Sequence, residues 1–243
     1  MYFCVEGSEV KLLHGKRIAG CVSVLLAGWV GVWACADLVA IGPRSLLSEA
    51  VGSRVDPSSR GWQSAYQALS AAADLKPQDA NLQFELGRTA WMQAAHLGSV
   101  HEQRANWLEL SIGHLRRATA YRPTWGRAWA ELANAYLQHG DLLSARNALI
   151  RAMEQEPYEG QAQWMVMWTG FAIWPMLLQE DRDTFLTIAK HVLNSYDFQW
   201  AIDPAVLHGH EDVLRALIQD NTDAQAYLAK AVKRRTRLQA AHR

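Results

Sequence analysis

The chain of 243 residues contains 24 acidic and 24 basic residues, and half of its residues are hydrophobic. This length and apolar content suffice for one domain with a continuous core or for a short repeat array. All three cysteines, Cys4, Cys21 and Cys35, lie near the N-terminus, so the rest of the chain can form neither a disulfide framework nor a cysteine metal site.

Residues 18–42 predict a transmembrane helix that also acts as a signal anchor. The 24 residues from Ile18 to Ile41 contain one charged residue, Asp37, whereas a helix needs roughly 20 apolar residues to cross the ~30 Å hydrocarbon layer. Basic residues precede this stretch and are scarce after it, which predicts that residues 1–17 remain in the cytoplasm. We therefore expect a single-pass protein of a bacterial inner membrane, with its C-terminal domain exported and a linker at 43–59.

Two alternatives to an uncleaved anchor remain open at this stage. Ala34-Cys35-Ala36 has the form of a signal peptidase site, and the segments before Cys21 and Cys35 weakly resemble lipid attachment sites. All three interpretations predict export of the C-terminal domain. Export argues against nucleic acid as a partner.

A repeat signature lies in the middle of the chain, within residues 124–157. Its members are Trp129, Leu132, Ala133, Tyr136, Ala145, Leu149, Ala152 and Pro157. Their spacing resembles the tetratricopeptide repeat (TPR), a helical hairpin with a period of 34 residues, and Pro123 and Pro157 are 34 residues apart. Ala133 replaces the Gly that the family prefers, and Leu149 replaces its Phe. The resemblance implies an all-α solenoid over 60–243 with a concave binding surface.

Weaker repeats precede this unit. Residues 83–90 and 115–123 keep part of the signature, but Pro77 and Pro123 are 46 residues apart, which predicts an insertion near residues 95–106. Before them, residues 65–77 predict the closing helix of a first unit. The opening helix of that unit is either degraded or replaced by the segment near Leu46 to Val51.

An apolar stretch with three tryptophans, Gln163–Leu178, follows the repeats. Two interpretations remain open: a core helix kinked by Pro175, or a partly exposed stripe that binds a partner or touches a bilayer surface. The tryptophans concerned are Trp164, Trp168 and Trp174.

Helices are predicted at 181–196, 204–219 and 222–238, and the segment 204–240 is expected to cap the array. The last of these helices carries a cluster of basic residues, Lys230, Lys233, Arg234 and Arg237. Such a cluster is typical of a solvated helix end, but it could also contact anionic lipid headgroups or an acidic partner.

The densest polar cluster is His208-Gly209-His210-Glu211-Asp212. Gly209, and the position of the cluster before an apolar helix, predict a turn and a helix N-terminus rather than a metal or active site. The sequence contains none of the common motifs for nucleophilic, metalloprotease or phosphate chemistry. We therefore expect no catalytic residues, no metal and no cofactor.

The anchor and the repeats together resemble membrane-tethered TPR proteins of bacterial polysaccharide biosynthesis and export systems. Other proteins with this arrangement resemble accessory factors of cytochrome c maturation, but no haem-handling cysteine or histidine cluster occurs after the anchor. The resemblance implies an adaptor that holds other proteins of an envelope complex. A peptide-binding or chain-end-binding module, with Arg116, Arg117, Arg122 and Arg127 along its groove, and an enzyme are the alternatives.

Overall fold

The computed structural model describes the backbone of residues 6–53, 59–98 and 101–241, and most side chains from residue 22 to residue 240. This part of the chain is helical and contains no strand. Its α-helices are α1 Glu6–Ser53, α2 Ser59–Leu75, α3 Ala80–Leu97, α4 Arg104–Tyr121, α5 Gly126–His139, α6 Leu142–Gln155, α7 Gly160–Ala172, α8 Gln179–Leu193, α9 Gln199–Leu207, α10 Glu211–Arg215 and α11 Thr222–Ala241.

Consecutive helices pack against each other, with the largest contacts in the pairs α3–α4 and α5–α6. A second set of contacts connects α5 to α7, α7 to α9 and α9 to α11, so these odd-numbered helices form one continuous layer. A helix with one apolar stripe is stable only when neighbours cover that stripe, and here each hairpin is covered by the next.

The segment 124–157 forms the hairpin of α5 and α6. Five signature residues are buried in its core, namely Leu132, Ala133, Ala145, Leu149 and Ala152, and three of these are alanines, which allow the two helices to approach closely. Gly140 ends α5 in the left-handed conformation with φ 91°, and the Asp141 side chain accepts a hydrogen bond from the Ser144 amide at the start of α6. Pro157 lies in the four-residue connection to α7.

The twelve surplus residues of the preceding hairpin do not form a simple loop. Helices α3 and α4 each contain 18 residues, whereas α5 and α6 each contain 14. The connection from α3 to α4 is also four residues longer than that from α5 to α6. One extra helical turn in each helix and the longer connection therefore account for the twelve surplus residues. Within 95–106, residues 95–97 end α3, residues 104–106 begin α4, and 98–103 form the connection between them.

Helix α1 continues well past the apolar stretch. Residues 43–53, which we expected to be linker, are helical, and residues 54–58 lie outside the described part. Pro43 lies inside this helix, although proline removes a backbone hydrogen bond. Ala36, Ala40 and Leu47 pack into a core with α2 and α3. That packing places the end of α1 beside α2, at the position where the sequence predicts the opening helix of the first unit.

The same helix contains a long apolar stretch. Residues Leu25–Leu47 have a mean hydropathy of 1.8, and only 11% of their most apolar 18-residue stretch is buried in the protein. By length and composition α1 can cross a membrane. Its exposed apolar side chains include Leu25, Leu26, Trp29, Val30 and Leu38.

The tryptophan-rich stretch is shorter as a helix than its composition predicts. Helix α7 ends at Ala172, and Pro175 lies in a separate 3-10 turn, Trp174–Met176. The expectation of a helix kinked by Pro175 is therefore wrong, because the chain leaves the helix before the proline. Gly170 faces the ring of Phe185 on α8, and this close contact holds the end of α7 against α8.

The C-terminal helices also differ in part from the prediction. The expected helix at 204–219 is divided into α9 and α10 by a turn at Gly209, whose φ is 76°. Helix α11 begins at Thr222 as predicted. Asn221 positions it, since its side-chain oxygen accepts a hydrogen bond from the Ala224 amide and its side-chain nitrogen donates one to the Leu193 carbonyl.

Candidate functional site

A groove of about 420 Å³ runs between α4 and α6, with α5 as its floor. The lining side chains come from all three helices, and they are Arg116, Thr119 and Ala120 of α4, Trp129, Leu132 and Tyr136 of α5, and Ser144, Asn147, Ala148 and Arg151 of α6. Its volume is in the range of protein ligand pockets. Seven of these ten residues lie on α5 and α6, the hairpin that carries the predicted repeat signature.

The chemistry of the groove is aromatic at the floor and cationic at the walls. Trp129 and Tyr136 are half-buried, and the indole nitrogen of Trp129 donates a 2.8 Å hydrogen bond to the Pro123 carbonyl, which fixes the ring. Burial raises the pKa of the Tyr136 hydroxyl, so the group stays protonated and can donate a hydrogen bond. Arg116 and Arg151 are exposed on opposite walls. This arrangement suits a partner segment that combines an apolar or aromatic side chain with carboxylates.

The four arginines predicted to share a surface are dispersed. Arg116 lines the groove, and Arg117 lies beside His114 with its guanidinium 3.4 Å from the ring nitrogen. Arg122 stacks on the ring of Trp125 at 4.7 Å in the connection from α4 to α5. Arg127 lies on the other side of α5, over the ring of Phe84 at 5.2 Å.

The three predicted tryptophans are half-buried, which is intermediate between the two interpretations of that segment. Trp164 and Trp168 lie 6.1 Å apart on α7. Trp174 packs against Phe171 and Phe185, and the guanidinium of Arg182 lies 5.1 Å from its ring centre. These contacts stabilise the junction of α7 and α8 and leave part of each ring at the surface.

The histidine cluster forms a turn, as predicted. His208 ends α9, Gly209 has a positive φ, and His210 precedes α10. Glu211 forms an ion pair with Arg235 of α11, and this guanidinium holds the pKa of the Glu211 carboxyl below its usual value. Among the residues whose side chains are described, no group of three or more His, Cys, Asp and Glu is placed to hold a metal ion.

A partly buried polar network connects α2, α3 and α4, and the sequence analysis does not predict it. The Tyr66 hydroxyl lies 2.8 Å from Nε2 of His114, and the Gln83 side-chain oxygen lies 2.8 Å from Nδ1. These distances fit a neutral ring that donates from Nδ1 to Gln83 and accepts from Tyr66 at Nε2. Each of the three residues is separated from the others by more than 15 positions in the sequence, so no local pattern indicates the network.

His114 makes the stability of the fold dependent on pH. Burial, together with Arg117, lowers the pKa of His114 from 6.5 to about 4. The unfolded chain therefore binds a proton between these values when the folded chain does not, so the stabilisation is complete above about pH 6.5 and falls as the pH falls toward 4. We expect the contribution of His114 to the free energy of unfolding to decrease by about 1–2 kcal/mol between pH 7 and pH 4.5. This figure is reduced because the His114 ring is partly exposed to solvent.

Urea unfolding of the wild type and of His114→Gln at both pH values tests this expectation. Glutamine keeps hydrogen-bonding capacity but does not titrate, so the variant should lose most of this pH dependence. His208 and His210 also have lowered pKa values, and their contribution remains in both proteins and cancels in the comparison. Equal pH dependence in the two proteins would contradict the assignment to His114.

A buried ion pair joins α3 to α5 on the side of α5 opposite the groove. Arg88 Nε lies 3.2 Å from Glu131 Oε1, and both side chains are largely buried. Burial raises the pKa of the Glu131 carboxyl, whereas Arg88 and Arg127 lower it. Sequence reasoning had no means to identify this pair, because both residues lie within helices whose exposed faces also carry charges.

No family model and no curated protein matches the chain.

Proposed function

We propose that the protein is a membrane-anchored scaffold whose exported TPR-like repeats hold other proteins of a bacterial envelope assembly. The observation that carries this proposal is the continuity of α1, because one helix has both the apolar length of a membrane span and core contacts with α2 and α3. A scaffold built in this way fixes its binding surface at a set distance from the bilayer. Lys11, Lys16 and Arg17 before the span favour a cytoplasmic N-terminus.

The groove on α5 supplies the binding surface in this proposal. The spacing of its signature residues supports the TPR-like assignment, and its aromatic floor and arginine walls favour a partner segment with acidic and apolar side chains. The narrower proposal, that the assembly makes or exports a polysaccharide, is supported by the likeness of the anchor-and-repeat arrangement to such proteins. Within this proposal the chain binds proteins and catalyses no reaction.

Crosslinking in intact cells tests the scaffold. A photoreactive amino acid in place of Asn147, an exposed residue of the groove, is expected to capture glycosyltransferases, polymerases or export proteins. The same amino acid in place of Thr187, exposed on α8, serves as the matched control. Captured proteins are identified by mass spectrometry.

Charge reversal at Arg116 and Arg151 should reduce capture from position 147 several-fold, whereas Lys190→Glu, at an exposed cation outside the groove, should leave it unchanged. Equal capture from both positions, or capture that is insensitive to the double reversal, would contradict a role of the groove. Capture of haem lyase components instead would replace the polysaccharide assignment with cytochrome c maturation.

A further inference from the structure

The connections between helices alternate between two edges of the array. We define the entry edge as the edge at which α1 meets the connection from α2 to α3. It contains the connections 76–79, 122–125, 156–159 and 194–198 and the start of α11. Contacts join neighbouring members of this edge in series. The Lys76 ammonium lies 2.9 Å from the Asp37 carboxylate, and the Arg127 amide and the Asn221 side chain donate hydrogen bonds to Glu156 and to the Leu193 carbonyl. The ring pairs Phe84–Trp125 and Tyr158–His191 complete the series. The far edge contains the connections 140–141, 173–178 and 208–210 and the end of α11.

The entry edge lies beside Asp37, the first charged residue of the apolar stretch in α1. The ammonium of Lys76 lies 4.7 Å from the ring centre of Trp33 and 2.9 Å from the Asp37 carboxylate. The 19 residues from Ile18 to Ala36 precede the first charge of the stretch and extend about 28 Å as a helix, close to the ~30 Å thickness of the hydrocarbon layer. We place the span here because Leu25–Leu47 also contains Asp37 and Arg44, which form ion pairs with α3 and with the connection before it. A charge pair is expensive inside that layer and tolerated at its boundary. The connection from α2 to α3 is therefore at headgroup level when α1 spans the membrane.

Exposed tyrosines are concentrated on the same edge. Tyr121, Tyr158 and Tyr196 are 45%, 57% and 99% exposed and end or follow α4, α6 and α8. Among the other described residues beyond α1, the large exposed apolar side chains are aliphatic, and most lie on the far edge, such as Leu143, Leu178 and Leu207. Tyrosine, like tryptophan, is enriched at membrane interfaces, because its ring is apolar and its hydroxyl remains hydrated.

We propose that the entry edge rests on the outer surface of the membrane, with Tyr121, Tyr158 and Tyr196 in the lipid headgroup layer. This inference rests on the proposed function, in which α1 spans the membrane. The guanidinium of Arg122, stacked on Trp125, lies on the same edge and can pair with lipid phosphates. The helices of the array then stand approximately along the membrane normal, and the groove opens sideways, parallel to the membrane.

The proposal also orients the basic end of α11. Arg235 contacts the Val206 carbonyl and Glu211 near the far edge, and the chain continues beyond this point to Arg237 and Leu238. The basic residues of this helix end therefore face away from the bilayer that α1 crosses. An anionic ligand of α11 would be a soluble acidic partner rather than the headgroups of that membrane.

Depth measurements on the full chain in lipid nanodiscs test the proposal. Cys4, Cys21 and Cys35 are replaced by alanine, and single cysteines labelled with an environment-sensitive fluorophore are introduced as Tyr158→Cys and Tyr196→Cys on the entry edge. Leu143→Cys and Leu178→Cys, each 63% exposed on the far edge, are the matched controls, and Leu25→Cys reports on the span. Nitroxide lipids that carry the quencher either at the headgroup or in the acyl chain provide the readout.

We expect the headgroup nitroxide to quench the probes at 158 and 196 several times more strongly than those at 143 and 178. The acyl-chain nitroxide should quench the probe at 25. Quenching at 25 combined with equal, weak quenching at the four other positions would overturn the membrane-facing edge while α1 still spans the bilayer. Absence of lipid quenching at 25 would overturn the span itself and therefore the proposed function.

Discussion

Gly170→Ala is expected to lower the free energy of unfolding by about 3 kcal/mol, a large effect for one methyl group. The added Cβ would lie 2.1 Å from Cε2 of Phe185, which is closer than side-chain carbons approach in real structures. Phe185 is fully buried and packs against Phe171 and Trp174, with ring centres 5.0 and 5.8 Å away. Either the ring or helix α7 must shift, and both movements disturb the junction of α7 and α8.

The matched control for this substitution is Gly113→Ala. Gly113 also lies inside a helix, but an added Cβ there would meet no atom within 4 Å. The control should therefore gain about 0.5–1 kcal/mol, because alanine has the higher helix propensity.

Urea unfolding followed by circular dichroism on the detergent-solubilised full chain measures both changes. The double variant Gly170→Ala/Phe185→Leu should recover part of the loss, because the smaller side chain makes room for the methyl group. A Gly170→Ala variant as stable as the wild type would mean that α7 and α8 do not approach as closely as the structure indicates.

Helical periodicity and proline spacing were sufficient to predict much of the architecture. The hairpin of α5 and α6 agrees with the segment 124–157, because its buried residues repeat at the spacing that places them on one face of each helix. The start of α11 was also predictable, since an amphipathic pattern begins there next to polar capping residues. Periodicity is a local property, and these elements depend mainly on local properties.

The errors occur where tertiary contacts decide the local conformation. Pro43 normally ends a helix, but packing of Leu47 and the ion pair of Arg44 with Glu85 keep α1 helical beyond it. The apolar composition around Pro175 predicted a long helix, but burial of Trp174 against α8 favours a turn instead. In both cases the deciding partner lies on another helix, 41 positions away for Arg44 and 11 positions away for Trp174, so the local sequence pattern carries no signal for it.

The candidate site was predictable only in part for the same reason. Trp129 and Tyr136 were identified from the repeat signature, and Arg116 was proposed as a surface residue. Arg151 and Asn147 were not identified, because only the packing of α6 beside α5 brings them to the same groove. Arg117 and Arg127 were grouped with Arg116 on composition, whereas helix geometry directs them to other surfaces.

Arg88→Met is expected to destabilise the fold by about 3 kcal/mol at neutral pH, because it leaves the Glu131 carboxylate buried without its closest partner. Arg127 remains nearby, which limits the loss. The matched control is Arg151→Met, which breaks the pair with Glu154, whose side chains are 60% and 50% exposed. An exposed pair contributes about 0.5 kcal/mol or less, so the control should remain close to the wild type.

The difference in the free energy of unfolding between Arg88→Met and the wild type should depend on pH, and this dependence identifies Glu131 as the cause of the destabilisation. Burial already raises the pKa of Glu131, and loss of Arg88 raises it further. A group with a raised folded-state pKa binds its proton more tightly in the folded chain, so protonation favours folding as the pH falls. This gain is larger in Arg88→Met than in the wild type. The difference in the free energy of unfolding between the two proteins should therefore narrow from pH 7 toward pH 5. The contribution of His114 is the same in both proteins and cancels in the difference.

The double variant Arg88→Met/Glu131→Leu should recover most of the lost stability. A destabilisation of Arg88→Met that is constant with pH would contradict the buried carboxylate as its origin.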